Sequence, residues 1–147
     1  NDPAASVYLA NTAMTRGKPA LTAESGGWSR TDEESIARIE HGVAGVLKHL
    51  GMRTDGPPPV ANPVWLGRNV VLRSEFTGLL YPMVEPGHTV AQGTIIARVT
   101  DFHGKLLEEI RSPFAGEVLY VVATPPVTKG EPVGFVAERA AAGADIR

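Results

Sequence analysis

One carboxylate has the sequence context expected of a catalytic acid or base. Glu24 follows the apolar run 20–23 and precedes the flexible turn Ser25-Gly26-Gly27. α/β enzymes commonly keep their chemistry at the carboxyl ends of strands, where loops leave the sheet. A carboxylate held there can move a proton during a reaction. Glu24 is therefore our candidate catalytic residue; the alternative is an acidic side chain that only accepts hydrogen bonds from the turn.

No metal-ligand pattern accompanies this carboxylate. The four histidines are scattered, and none pairs with a carboxylate or another histidine at ligand spacing; they are His41, His49, His88 and His103. The chain has no cysteine, which excludes disulfides, thiolate catalysis and cysteine-rich zinc sites. We therefore expect no metal ligands in this chain, and Glu24 is predicted to be one part of a larger site.

The composition is ordinary for a soluble globular protein, and the lack of cysteine fits the cytoplasm, which is our predicted location. Of the 147 residues, 43% are hydrophobic and 20% charged, with a net charge of −2. Such a charge provides no basic field for a phosphate backbone, so a dedicated nucleic-acid role is not expected. No apolar stretch is long enough for a membrane span. The chain opens on Asn1-Asp2-Pro3 rather than Met, and we interpret it as part of a longer polypeptide.

Residues 1–53 are predicted to be the distal part of an α/β domain. Good helix formers over 4–15, followed by Gly17, predict a first helix. The short apolar run 20–23 predicts a buried strand that ends at Gly26-Gly27. This strand would place Glu24 at its carboxyl end.

A second helix has clear start and stop signals. Thr31 and Glu34 match a capping box, in which each side chain satisfies the other residue's backbone donor. Gly51 supplies a left-handed stop. Six apolar residues fall within an arc of roughly 100° at 3.6 residues per turn and predict one core-facing stripe. They are Ile36, Ile39, Val43, Val46, Leu47 and Leu50.

The predicted secondary structure changes from α/β to all-β after a stiff connector. Residues 54–64 are rich in proline, which fixes the backbone and predicts an extended linker. Residues 65–139 are short β-like runs separated by Gly and Pro, which predict an all-β domain. Residues 140–147 form an Ala-rich tail.

The β-like region contains an internal repeat. Residues 74–78 (Ser-Glu-Phe-Thr-Gly) return as 112–116 (Ser-Pro-Phe-Ala-Gly), and 90–93 return as 127–130. Two units of this size cannot bury their apolar faces singly, but they can interlock about a pseudo-twofold axis. The repeat predicts a barrel-sandwich arrangement.

Parts of this repeat resemble the lipoyl and biotinyl carrier domains. The resemblance rests on residues 78–87, Val90-x-x-Gly93 and Ser112-Pro113-x-x-Gly116. In such carriers a lysine on an exposed hairpin bears the cofactor, and Lys105 stands at about that position. It lies in Asp-Phe-His-Gly-Lys rather than in the usual Asp-Lys-Ala or Met-Lys-Met. A carrier modified on Lys105 is thus one alternative, and a solvated loop lysine is the other.

Four segments together resemble the succinylglutamate desuccinylase and aspartoacylase family. They are 20–27, 45–52, 101–104 and 108–113. Within the family the chain is most similar to the deacylases that include N-acetyl-diaminobutyrate deacetylase. The resemblance spans nearly the whole chain, as the carboxyl-terminal part of such an enzyme.

The resemblance implies a fold and an activity. These enzymes look like zinc carboxypeptidases with an appended β domain of the barrel-sandwich kind, and they hydrolyse the amide bond of a small N-acyl amino acid. Their zinc is held by a His-x-x-Glu pair and a later His, all upstream of the segment that this chain matches. The glutamate matching Glu24 is the general base and proton shuttle, which acts on zinc-bound water and then on the departing amine.

We therefore expect the distal portion of a zinc-dependent amide hydrolase that is inactive by itself. Truncation should leave apolar surface around Leu21 that is covered by the missing amino-terminal part, by a partner chain or by self-association into a homo-oligomer. A carrier domain and a non-catalytic interaction module stay open as alternatives.

Overall fold

The computed structural model describes residues 8–27 and 31–141. The chain forms two compact units, a first unit Asn1–Ala61 and a second unit Asn62–Arg147. The division lies inside the proline-rich segment 54–64. Within the described residues, neither helix has the length and apolar character needed to cross a membrane.

The described residues of the first unit form two helices, α1 (Leu9–Thr15) and α2 (Glu33–His49). The predicted stop signals are confirmed, since Gly17 and Gly51 follow these helices at φ 72° and 70°. Each glycine takes the left-handed conformation that lets the chain turn back and satisfy the last carbonyls. Of the first helix predicted over 4–15, the portion 4–7 lies outside the described residues.

The predicted capping box is wrong by one residue. Asp32, not Thr31, is the N-cap of α2, and its Oδ1 accepts a hydrogen bond from the Ser35 amide at 2.8 Å. A carboxylate is favoured at this position because it meets both the unpaired amides and the positive end of the helix dipole. The hydrogen bonds from Ser35 lower the pKa of Asp32 accordingly. Thr31 and Asp32 are adjacent, and both are residue types that cap helices. The sequence pattern alone therefore did not show which of the two is the N-cap.

The predicted strand over 20–23 is absent. These residues have no regular secondary structure, and Leu21 is 73% exposed. A strand needs a hydrogen-bonded neighbour, and the described part of the first unit contains no other strand. Glu24 therefore lies in an irregular segment.

The first unit has no hydrophobic core of its own among its described residues. Every hydrophobic side chain that is buried within residues 8–27 and 31–141 belongs to the second unit. Most of the predicted apolar stripe on α2 is exposed, by 37% to 62% of each side chain; these residues are Ile36, Ile39, Val43, Val46 and Leu50. The stripe thus forms an apolar surface instead of the core-facing contact expected from its pattern.

Up to residue 141, where the described part of the chain ends, the second unit forms eight strands. They are β1 (Trp65–Arg73), β2 (Gly78–Pro82), β3 (Thr89–Val90), β4 (Ile95–Thr100), β5 (Leu106–Arg111), β6 (Gly116–Val121), β7 (Pro126–Val127) and β8 (Pro132–Ala140). The β-like run predicted at Trp65–Arg73 is confirmed. All pairings are antiparallel, in two sheets of order β1-β8-β6-β3 and β5-β4-β2-β7.

The order of the strands in the two sheets reflects the internal repeat of the sequence. Exchanging β1–β4 with β5–β8 converts one sheet order into the other. Each sheet takes two strands from each repeat, so neither repeat can form its sheets without the other. All eight strands supply side chains to one buried cluster, among them Leu80, Ile96, Val118 and Val136. The predicted mutual burial of the two repeats is therefore observed.

Matching hydrogen bonds fix the two repeat turns. The Ser74 hydroxyl donates to the Phe76 carbonyl at 2.7 Å, and the Ser112 hydroxyl donates to the Phe114 carbonyl at 2.6 Å. Both serines are buried. Because each buried hydroxyl has a backbone partner, neither is left with the cost of an unsatisfied polar group.

Glu117 is the only buried charged side chain among the described residues. Its Oε1 accepts hydrogen bonds from Thr89 Oγ1 at 2.6 Å and from Arg139 Nε at 2.7 Å. These bonds, the one from Thr89 most of all, lower the pKa of Glu117 below its ordinary value of 4.5, although burial opposes them. The folded protein therefore favours the ionised carboxylate.

We expect Glu117→Gln to reduce the loss of stability at acidic pH. A carboxylate whose pKa is lowered by folding stabilises the fold above its unfolded pKa, and this contribution disappears as the pH falls through the folded pKa. The free energy of unfolding of the wild-type protein should thus fall more steeply below pH 4.5 than that of the variant. Urea unfolding measured between about pH 7 and 3 tests this.

An exposed carboxylate provides the control for this experiment. Glu75→Gln removes a side chain that lies in solvent, and its pH dependence should follow that of the wild-type protein. Identical slopes for Glu117→Gln and the wild type would show that the buried pair is not linked to acid unfolding.

Candidate functional site

Glu24 lies in solvent on the segment between α1 and α2. Its side chain is exposed, and no hydrogen bond or ion pair to its carboxylate is formed by the described residues. A free carboxylate can accept a proton without first breaking an internal contact. Its position depends on the backbone that carries it.

The two residues after Glu24 contact the first turns of α2. Ser25 Oγ accepts a hydrogen bond from Arg38 Nη1 at 3.2 Å. Gly26 has φ +88°, and a Cβ added there would lie 3.1 Å from Ser35 Oγ. The left-handed backbone and the close approach both favour glycine at this position. The turn after Glu24 is thereby held against the helix.

These contacts were not predicted from the sequence. Ser25 and Arg38 are separated by 13 residues, and neither residue type alone signals such a pairing. The one available signal was the helical spacing of Glu34 and Arg38, which form an ion pair at 2.7 Å on one face of α2.

The histidines do not form a common site. His41 is exposed on α2, and His49 is exposed in its last turn. His88 Nε2 lies 3.9 Å from Glu85 Oε2 in an exposed turn. The fourth, His103, lies in an exposed loop. Across residues 8–27 and 31–141, no three His, Asp or Glu side chains are placed to hold a metal ion.

Lys105 lies at the base of the hairpin between β4 and β5, beside the first residue of β5. The Asp101 carboxylate accepts hydrogen bonds from the amides of Lys105 and His103, both at 2.9 Å. These two bonds, led by that from Lys105, lower the pKa of Asp101. The tip of the hairpin is formed by Phe102 and His103, which are exposed. The Lys105 backbone is therefore fixed in the hairpin.

An open depression of about 560 Å³ lies along α2. Its walls come from the middle of the helix, residues 39–44, and from the segment 53–57, and they do not include Glu24. Arg53, one of its polar wall residues, is already engaged in an ion pair with Asp55, with 2.7 Å between Arg53 Nη2 and Asp55 Oδ2. The depression is mainly a continuation of the exposed apolar stripe, and we assign it no chemistry.

The chain has a relative with a described activity. This chain is 32% identical over 138 residues to the N-alpha-acetyl-L-2,4-diaminobutyric acid deacetylase of Halomonas elongata. The alignment covers 88% of this chain and 40% of the relative. No protein-family model matches the chain.

Solved structures share the fold. The ectoine utilization protein EutE (DoeB) of Ruegeria pomeroyi is 29% identical in its apo form, with a TM-score of 0.77 over 86% of this chain and 41% of its own. A succinylglutamate desuccinylase/aspartoacylase from Rhodobacter sphaeroides is 25% identical, with a TM-score of 0.80 over 90% of this chain and 44% of its own.

The chain spans about two fifths of the length of these proteins. The similarity extends through most of the described residues, in sequence and in fold. The resemblance predicted from the Glu24 segment and the three later segments is thereby confirmed.

Proposed function

Because this chain is similar in sequence and fold to part of the succinylglutamate desuccinylase/aspartoacylase family, we propose that it is the carboxyl-terminal portion of a zinc-dependent hydrolase. The proposed reaction is deacylation of a small N-acyl amino acid by hydrolysis of its amide bond. The observation that carries the proposal is the match to a deacetylase over 138 residues. Residues 1–53 then belong to the distal part of an α/β catalytic domain, and the enzyme acts in the cytoplasm.

In this proposal Glu24 is the general base and then the general acid. Its carboxylate takes a proton from the attacking water as the water oxygen bonds to the amide carbonyl carbon. It returns that proton to the nitrogen when the carbon–nitrogen bond breaks, so that the amine leaves in neutral form. The exposed carboxylate and the glycine-containing turn beside it support this role, since both leave room for a substrate.

The zinc of the proposed enzyme is bound by residues of the preceding part of the polypeptide. The described residues do not fit a zinc site, because structural and catalytic zinc sites use at least three protein ligands and no such group is present among them. The first unit would then contribute Glu24 to a site whose metal ligands come from the preceding part of the polypeptide.

The exposed apolar surface of the first unit supports the proposal that the catalytic domain includes a preceding part of the polypeptide. An isolated helix is marginally stable in water, and most helical stability in proteins comes from packing an apolar face. Among the described residues of its own unit, the stripe on α2 packs on no core, and Leu21 is also exposed. We propose that the missing amino-terminal part of the catalytic domain covers this surface. Self-association into a homo-oligomer stays a second prediction for the same surface.

The second unit fits a barrel-sandwich domain. Its two interlocked four-stranded sheets and its internal repeat support that assignment. The same features keep a carrier role open as a second candidate, with lipoyl or biotinyl attachment at the exposed Lys105. Intact-mass measurement after co-expression with lipoyl and biotinyl ligases decides this, since an unmodified chain would remove the carrier. A non-catalytic interaction module is the third candidate.

The proposal is tested by comparing this chain with a longer polypeptide that includes the residues preceding it. We expect the longer polypeptide to release free amine from N-acetyl amino acids such as N-acetyl-2,4-diaminobutyrate, and the 147-residue chain to release none. Activity in neither form, with both shown to be folded by circular dichroism, would leave the interaction module as the better account.

A further inference from the structure

The turn after Glu24 is linked to α2 through one guanidinium group. Arg38 donates from Nη1 to Ser25 Oγ at 3.2 Å and from Nη2 to Glu34 Oε1 at 2.7 Å. The same side chain therefore contacts the residue beside Glu24 and a fixed position on the helix. A planar guanidinium can hold two acceptors at once, which a lysine ammonium does with less geometric definition.

From this arrangement we propose that Arg38 is a positioning residue for the proton transfer assigned to Glu24. The proposal rests on the proposed function. Arg38 holds Ser25, and the peptide between Ser25 and Glu24 transmits that restraint to the carboxylate. Gly26 completes the contact by letting the backbone approach Ser35 closely.

A positioning role for Arg38 predicts a loss of turnover without a loss of global stability, whereas a purely structural role predicts a loss of stability. The Arg38 and Glu34 side chains are 61% and 85% exposed, and exposed ion pairs contribute little to global stability. Loss of Arg38 should therefore leave the unfolding midpoint almost unchanged. Its effect should appear in turnover, because small misplacements of a catalytic group can cost up to about 100-fold in rate.

The test is a double-mutant cycle in the longer, active polypeptide. We expect Arg38→Ala and Ser25→Ala each to lower kcat by about tenfold with little change in KM. The double variant should be no slower than either single variant, because both remove one contact. Arg38→Lys should recover only part of the loss. Effects that multiply in the double variant, or an unchanged kcat in Arg38→Ala, would overturn the proposal.

The control removes a similar exposed arginine from the same unit. Arg53 forms an ion pair with Asp55 and has no contact with the Glu24 turn among the described residues. Arg53→Ala should keep the wild-type kcat. An equal loss in Arg53→Ala would point to a general effect on the first unit and would also overturn the positioning role.

Hydrogen exchange separates this inference from the proposed function. In the same polypeptide, Arg38→Ala should raise amide exchange several-fold over residues 24–27 while the unfolding midpoint stays constant. Unchanged amide exchange over residues 24–27 in Arg38→Ala would overturn the proposed restraint by Arg38, whatever the activity of the variant. Full activity of Glu24→Gln would instead overturn the role of Glu24 and leave the contact between Arg38 and Ser25 standing.

Discussion

Replacing Glu24 by glutamine is expected to lower turnover of the longer polypeptide by about 10²- to 10⁴-fold. The amide is close in size to the carboxylate, but it cannot accept a proton from water or return one to the amine. The Glu24 side chain has no partner among the described residues, so the substitution should leave the unfolding midpoint unchanged. Amine release under saturating substrate, with circular dichroism of each variant, measures both effects.

A second glutamate of the first unit provides the control. Glu40 is exposed on α2, and Glu40→Gln makes the same chemical change without touching the proposed proton transfer. We expect it to retain turnover within about twofold. Wild-type turnover in Glu24→Gln would remove this residue from the mechanism.

Replacing Gly78 by alanine is expected to destabilise the second unit by about 3 kcal/mol. Gly78 is buried at the start of β2, and an added Cβ would overlap the carbonyl oxygen of Thr100. That oxygen belongs to the backbone of β4, which pairs with β2 from Leu79 onward. It cannot move aside as a flexible side chain could. Gly116, the equivalent residue of the second repeat, has the same relation to the Ala137 carbonyl oxygen.

Gly67 of β1 is the matched control for this prediction. An alanine there would meet only the Ala140 Cβ at 3.4 Å, an ordinary contact distance. We expect Gly67→Ala to change the free energy of unfolding by less than about 0.5 kcal/mol in urea titrations. If Gly78→Ala proved equally mild, the close approach of β2 to β4 would not constrain the fold as described.

The β elements followed well from the sequence because their signals are local. Gly and Pro mark the turns, and the run Trp65–Arg73 has the bounds observed for β1. The repeat also has a direct structural meaning, since the two copies supply equivalent strands to the two sheets. In the same way, Gly51 ends α2 through its own backbone conformation.

The elements whose structure depends on partners far away in the sequence were not predicted correctly. The run 20–23 has the composition of a strand, but the described part of the first unit offers it no neighbour to pair with. The stripe on α2 has the periodicity of a core-facing helix, yet it is exposed for the same reason. For the candidate site, the sequence predicts Glu24 as the catalytic residue, and this stays a prediction. It did not reveal the contact of Ser25 with Arg38, because that contact depends on how the segment folds back onto the helix.

We propose that this chain completes a zinc-dependent deacylase, and measuring metal content and amine release together in the longer polypeptide tests this. We expect about one bound zinc per chain, loss of hydrolysis when zinc is removed by a chelator, and recovery when zinc is restored. Hydrolysis that persists in the zinc-free polypeptide, or that the 147-residue chain performs alone, would contradict it.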